Sequence, residues 1–276
     1  MTRHNPAKLI VATIQMVSNH VFSENLDTAV RLIEKAAEAG ASLVVLPEYF
    51  SIMALREIDK FEYVEEHGNG VMQDTLKRIA KKLSLWIVAG SHPIQSDNPQ
   101  RPYGRCYVFD PQGEVVSWFD KIHLFDVQVS DNQKSYCESK YTKAGTQVTS
   151  FQTPWAKVGL AICYDLRFPE LFRKLQQTGC ELIIVPAAFT AKTGAAHWDL
   201  LTRTRALENL CYLVSSAQGG HHTNGRETWG HSNIVSPWGE LLAEIEFGEG
   251  ILISELDFGL QKQIRKEFPV LDHKRI

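Results

Sequence analysis

The sequence predicts an α/β protein, a four-layer α-β-β-α sandwich of two pseudo-symmetric halves. Three observations lead there. Apolar strand-like runs alternate with amphipathic helical stretches along most of the chain. Two strings recur: Leu43-Val44-Val45-Leu46-Pro47 is echoed by Leu182-Ile183-Ile184-Val185-Pro186, and Asp110-Pro111-Gln112-Gly113-Glu114 by Ser236-Pro237-Trp238-Gly239-Glu240. Each half ends on a hairpin, so two sheets packed face to face with helices outside are more economical than one doubly wound sheet.

Taken in order, residues 9–16 read as a buried strand. A helix follows, with Ser23 as its N-cap, Leu26, Ala29, Val30, Ile33 and Ala37 at the 3.6-residue period, and Gly40 at its stop. Residues 42–46 form a strand that delivers Pro47-Glu48. A second helix carries Met72, Leu76, Ile79, Ala80 and Leu83 on one face and leads into a strand over 85–89. Residues 106–109 and 114–119 flank the first recurring turn, with Pro second and Gly fourth as a type I turn prefers. Residues 120–147 lack a clear period and read as a long functional loop. The order then repeats: a strand at 157–162, a helix at 168–177 stopped by Gly179, a strand at 181–185, a helix at 198–209, a strand at 210–217, and a hairpin of 231–235 with 240–245. The tail 257–276 is basic and mixed, and is expected to reach across to a second subunit.

The bulk numbers bound the function. A chain of 276 residues, 44% apolar and 22% charged, fits a single globular domain over 1–276 and excludes a disordered or fibrous chain. A formal net charge of −3 gives no electrostatic footprint for nucleic acid or an anionic membrane. Five cysteines, an odd number with no CxxC pair, argue against a disulfide framework or a zinc site, and reduced thiols fit the cytoplasm. The polar start at residues 1–8 does not read as a signal peptide, and no apolar stretch approaches the ~20 residues that span a bilayer.

Three reactive groups follow strands: Glu48, Lys121 and Cys163. A strand end is a rigid mount with an open tip. Only a thiolate attacks, so a thiol nucleophile needs a base, and Glu48 can take its proton and return it to a leaving nitrogen. An amide under attack passes through an oxyanion, which the Lys121 ammonium and the backbone N–H of Tyr164 can stabilise. Taken singly each has a bland reading: a cysteine ending a buried strand is commonly a small core residue, and a lone Glu or Lys there a solvated charge.

Together the local strings say more. Leu46-Pro47-Glu48, Asp120-Lys121-Ile122-His123-Leu124 and the run from Ile162-Cys163-Tyr164-Asp165 through Leu166-Arg167-Phe168-Pro169-Glu170 resemble, in order and spacing, the motifs of the nitrilase superfamily. The similarity continues through Phe189, Thr193-Gly194, Ala196-His197-Trp198, Arg203, Arg205-Ala206 and Gly230-His231-Ser232, nearly the whole chain. It implies an α-β-β-α fold, a Glu–Lys–Cys triad, a small-molecule amide substrate, no metal or other cofactor, and a homodimer or larger assembly. It also implies a second carboxylate between Lys and Cys; Tyr136-Cys137-Glu138-Ser139 matches, so Glu138 is expected to position Lys121 and the substrate.

Within the superfamily the chain resembles the small keto-acid amidases, through Lys121-Ile122-His123-Leu124-Phe125-Asp126-Val127 and Cys163-Tyr164-Asp165-Leu166-Arg167. That resemblance implies that Arg167 and Thr193 hold the substrate's keto-acid carboxylate, a pairing a guanidinium suits. Two substrates compete, deaminated glutathione and 2-oxoglutaramate. The segment Ala217-Gln218-Gly219-Gly220-His221-His222, with Arg226-Glu227-Thr228, favours the first, His221 and Arg226 engaging its far carboxylate. Other readings remain open here: a nitrile-cleaving enzyme, or a binding protein that keeps the fold without turnover. Adjacent His221 and His222 are poorly spaced for one metal ion and have no third ligand. Arg203 and Arg205 read equally as substrate ligands or structural ion pairs, and Cys106, Cys137, Cys180 and Cys211 as packing residues or incidental thiols.

Overall fold

A computed structural model describes residues 8–131, 133 and 135–275; the polar segment 1–7, judged above not to be a signal peptide, lies outside these, as does the last residue of the tail. The first half runs β1 (Lys8–Gln15), α1 (Phe22–Glu38), β2 (Leu43–Leu46), α2 (Val71–Leu83), β3 (Trp86–Ile94), β4 (Tyr103–Phe109) and β5 (Val115–Asp120). A small hairpin, β6 (Asp126–Gln128) and β7 (Ser135–Cys137), intervenes. The second half runs β8 (Ser150–Gln152), β9 (Lys157–Leu160), α3 (Pro169–Gln177), β10 (Leu182–Ala187), α4 (Ala191–Asn209), β11 (Tyr212–Ala217), β12 (Ser232–Val235) and β13 (Leu241–Ile245). The chain ends with β14 (Gly250–Asp257) and α5 (Phe258–Glu267).

Two six-stranded sheets result, in the orders β14-β1-β2-β3-β4-β5 and β8-β9-β10-β11-β12-β13. Each has three parallel strands, an antiparallel hairpin on one side and one antiparallel strand on the other. The recurring strings thus occupy equivalent places: β2 matches β10, and the β4–β5 turn matches the β12–β13 turn. Period-two alternation sorts the side chains. Leu9, Val11, Leu43 and Val45 join Val158, Leu160, Leu182 and Ile184 in the core between the sheets. Their alternates Ala12, Ile14, Val44 and Leu46 pack outward under α1 and α2, against Leu26, Ile33, Met72 and Leu76. The four layers follow from that alternation.

Several local expectations change. Ser23 is exposed and caps nothing; α1 starts at an uncapped Val21, whose N–H is held by Asn19 Oδ1 at 2.6 Å. The stretch 120–147 is less irregular than its sequence suggests, since it contains the β6–β7 hairpin and a three-ten turn at Glu138–Lys140. Helix α4 begins at Ala191, well before 198, because the Thr190 side chain caps it; Gly194 is tolerated because a Cβ there would lie 2.2 Å from Trp229. The tail folds back on its own chain. Residues of β14 pair along all of β1, Asp257 caps α5, Gln261 donates to the carbonyls of Glu181 and Leu210, and Arg265 donates to those of Leu210 and Cys180. Residues 257–267 of the tail thus close the sandwich, while Phe268 just beyond them is exposed. Among the described residues no helix is long and apolar enough to cross a membrane.

One close approach positions the segment after β2. Gly90 in β3 has φ +37°, and a Cβ there would lie 1.9 Å from the Pro47 carbonyl oxygen. Gly90→Ala should therefore cost about 3 kcal/mol, from the unfavourable backbone and the clash together. Thermal unfolding tests this; an unchanged midpoint would mean that the Pro47 peptide has room to move.

Candidate active site

The strands of both halves deliver side chains to one end of the sandwich. Glu48 lies two residues beyond β2. Its backbone carbonyl accepts from Gln218 Nε2 at 3.0 Å, and Gln218, just after β11, also bonds Ser18. A residue that follows a strand of the second sheet thus fixes Glu48, carried by the first. Tyr49, at φ +57°, turns the chain away, its N–H held by Ser91 Oγ. Lys121 directly follows β5; its N–H donates to the Gly104 carbonyl and its own carbonyl accepts from Gly145. Cys163 sits between β9 and a three-ten turn over Cys163–Arg167, itself at φ +48°.

Lys121 Nζ is the hub. It donates to Glu48 Oε1 at 2.8 Å and to Glu138 at 2.8 and 3.1 Å. Glu138 is held by the Phe125 N–H at 2.7 Å and the Tyr49 hydroxyl at 3.2 Å. Lys60, buried against Thr142, adds positive charge near it. Glu48, Lys121, Glu138 and Cys163 are all buried, none more than 8% exposed. An ammonium has three donors; when the two Glu138 oxygens share one of them and Glu48 takes another, the third is open to a substrate oxygen.

Burial sets the proton inventory. It pushes the Glu48 carboxyl above the usual range, with Lys121 pulling the other way. Burial works on Glu138 too, but there the Lys121 charge and hydrogen bonds and the Phe125 N–H win and hold it low. Burial opposes the Lys121 ammonium, yet the Glu138 and Glu48 charges outweigh it and keep it protonated. Burial, then the Glu48 charge, push the Cys163 thiol well up, against Lys121 and a backbone hydrogen bond from Ala188. The Glu48 carboxyl and the Cys163 thiol are thus both pushed towards their protonated forms, side by side in one buried site.

All four groups line a cleft of about 270 Å³. Of the substrate-contact candidates, Tyr164, Thr193 and Arg226 line it as well. Arg226 is only 9% exposed; its guanidinium lies 5.7 Å from the Tyr49 ring and 5.2 Å from the Tyr136 ring, with Glu57 at 3.6 Å, and its Nε has no hydrogen-bond partner. Arg167 and His221 are elsewhere. Arg167 rests on the outside of the Phe189 and Tyr164 rings, 3.2 Å from His197 Nδ1, and is not part of the lining. The His221 side chain is 73% exposed and faces Glu227 and Phe247. His222 is a buried structural residue bonded to the Ser18 carbonyl and Thr228 Oγ1, its pKa lowered to about 4 by burial. Among the described residues no group of three His, Cys, Asp or Glu could hold a metal ion.

Sequence reasoning missed Tyr49, Tyr136, Lys60 and Gln218. Tyr49 adjoins Glu48, and Tyr136 stands in the string quoted for Glu138 without being given a role, so proximity could have flagged both. Lys60 and Gln218 reach the site only through tertiary packing. Of the incidental thiols, Cys106, Cys180 and Cys211 are buried, whereas Cys137 is exposed at the cleft.

The chain is similar to known proteins over nearly its whole length. The carbon-nitrogen hydrolase family profile matches residues 10–266. A deaminated glutathione amidase of Mus musculus is 38% identical over 270 residues, covering 96% of this chain and 83% of that protein. An omega-amidase of Homo sapiens is 37% identical over 265 residues, covering 96% and 94%. The crystal structure of the C. elegans NitFhit protein superposes with a TM-score of 0.89 at 31% identity, covering 98% of this chain; the chain spans only 65% of that one. The chain thus belongs to the carbon-nitrogen hydrolase family, within the nitrilase superfamily.

Proposed function

We propose that this protein is a cysteine amidase that hydrolyses deaminated glutathione to 2-oxoglutarate and cysteinylglycine. Glu48 takes the thiol proton as Cys163 Sγ attacks the amide carbonyl. The free direction of the Lys121 ammonium and the Tyr164 N–H receive the oxyanion. The intermediate collapses to a thioester as Glu48 protonates the leaving nitrogen. Water, deprotonated by Glu48, then releases the acid and regenerates the thiol. Glu138 holds Lys121 and gives it its charge balance. A reducing compartment, the cytoplasm, suits such a thiol. A silent scaffold has no need of two buried carboxylates around a buried ammonium, because desolvating them is costly.

This site makes a direct prediction. Cys163→Ala should stay folded and lose all turnover, and wild type with a slow substrate should carry an acyl group on Cys163 by mass spectrometry. Lys121→Ala should lower kcat by roughly 10² or more, the scale of a lost oxyanion donor, and Lys121→Arg should not restore it, since a planar guanidinium cannot sit between two carboxylates as an ammonium does. An adduct on another cysteine, or an active Lys121→Arg, would refute the assignment.

The observation that carries the substrate is Arg226. It is a buried cation with an unpartnered Nε, on the wall shared by the catalytic cleft and a second opening of about 190 Å³ beside Ser130, Lys192 and Glu227. Deaminated glutathione is long and carries a carboxylate at each end, so it can span both spaces. 2-Oxoglutaramate, which releases only ammonia, leaves the second one empty. The omega-amidase reading stands second because relatives of that name are as similar as the deaminated glutathione amidases. We expect kcat/KM to favour deaminated glutathione, and Arg226→Ala to lose that substrate while keeping 2-oxoglutaramate. Equal losses, or a wild-type preference for 2-oxoglutaramate, would transfer the assignment to omega-amidase.

The reading includes a homodimer. Leu200 and Leu207 of α4, Trp238 and Leu241 of the β12–β13 hairpin, and Phe268 are large, apolar and 41–66% exposed on neighbouring elements. A second copy is the proposed cover. Light scattering should give twice the chain mass, and Leu207→Glu should return it to one; a monomeric wild type would end this part of the proposal.

A further inference from the structure

We propose that the Asp165 carboxylate is a clamp that sets the Cys163 turn against Lys121, with His123 as its other jaw; the proposal rests on the catalytic roles assigned above. Cys163 and Lys121 come from different sheets and have no covalent neighbour in common. The relation between sulfur and ammonium therefore depends on how one half sits on the other. Asp165 lies two residues after Cys163, and His123 two residues after Lys121.

The Asp165 side chain is fully buried and accepts three hydrogen bonds. Oδ2 takes the N–H of Ile162, the residue before the nucleophile, at 2.8 Å. Oδ1 takes the His123 backbone N–H at 2.9 Å and contacts His123 Nδ1 at 2.6 Å. A carboxylate only accepts, so Nδ1 is the protonated ring nitrogen in this contact. Charge-assisted bonds of this kind are about twice as strong as neutral ones. The His123 ring then stacks on Phe168, 3.6 Å between centroids and 6° from parallel, where the Cys163–Arg167 turn ends. The segment carrying Lys121 thus holds the turn at Asp165, which itself ties down Ile162, and at Phe168, where the turn ends.

The turn needs such a grip. Cys163 sits at φ +48°, a conformation that costs a non-glycine residue about 1–3 kcal/mol and persists only where its surroundings over-determine it. Neither Asp165 nor His123 lines the cleft. They touch no substrate, and act as positioning residues. A displacement of about 1 Å at a reacting group can cost roughly 10² in rate, so a clamp this close to both groups controls the chemistry without joining it.

Two variants test it. Asp165→Asn keeps the shape but turns one oxygen into an N–H donor, which must face Ile162 or His123 and break that tie. His123→Phe keeps a ring on Phe168 and removes the ring N–H; the side chain is 28% exposed, so folding is not at stake. Two quantities are measured: kcat and KM for the amide, and the rate of Cys163 alkylation by iodoacetamide, which needs no substrate. Each variant should lower kcat about tenfold or more with KM within about twofold, and slow alkylation about fivefold or more. The double variant should lose less than the sum of the two single losses, since both variants act on one hydrogen-bond network around Asp165. His123→Phe with kcat and alkylation within about twofold of wild type, or additive losses in the double variant, would overturn the clamp. A purely structural role would lower the unfolding midpoint without slowing alkylation in the folded protein. Should Asp165→Asn fail to fold, His123→Phe decides alone. If wild type cleaves neither candidate amide while the variants still slow alkylation, the functional reading fails and the clamp stands.

Discussion

The contact of the Lys121 ammonium with two buried carboxylates is the constraint around which the rest of this structure is arranged. Taking three charges out of water is expensive, and removing any one leaves the others uncompensated. Such a cluster survives only if its geometry is held by groups that cannot drift. Each member is accordingly mounted at or near the end of a strand, and the loops between are tied by backbone hydrogen bonds, as at Gly104 and Gly145 for Lys121. The same constraint tunes the chemistry. The ammonium stays charged because two carboxylates face it, whereas Glu48 keeps a raised proton affinity because it is less fully compensated than Glu138.

The internal repeat explains where the site lies. Both halves carry the same strand order, and both open at the same end of the sandwich. The first supplies Glu48 and Lys121, the second Cys163, and Glu138 comes from the segment that joins them. Chemistry therefore exists only once the two sheets are packed face to face. Gln218 shows how this is enforced, since it reaches from the second sheet to the Glu48 carbonyl and to Ser18. Asp165 does the same at shorter range.

The residues expected from sequence to contact substrate divide according to what their side chains meet on the way to the cleft. Arg167 follows the nucleophile closely in sequence, yet its guanidinium is drawn onto Phe189 and His197, outside the lining. Arg226, from a loop far along the chain, passes between Tyr49 and Tyr136 into the interior. In the same loop, His221 points to solvent and its neighbour His222 is buried as a neutral strut. Adjacent residues on an extended segment face opposite ways, so a loop string says little about which of them touches a ligand.

Local pattern and recurrence were enough for the layers, the two halves and most of the strands and helices, because periodicity is a property of nearest neighbours in the chain; Glu48, Lys121 and Cys163 stood out as strand-end candidates only through the resemblance to the superfamily, and Glu138 came from that resemblance alone. They were not enough for β8 and β14, which are a short edge strand and a strand whose partner β1 lies at the other end of the sequence. Nor did they reveal the early start of α4, where Gly194 reads as a breaker until Trp229 is seen filling the place of its missing side chain. The fate of the tail, the partners of Lys121, the exclusion of Arg167 and the burial of Arg226 were all decided by packing between residues distant in sequence. A pattern of residue types specifies which face of an element is apolar; which charged group ends up desolvated beside which other depends on the three-dimensional closure of two sheets.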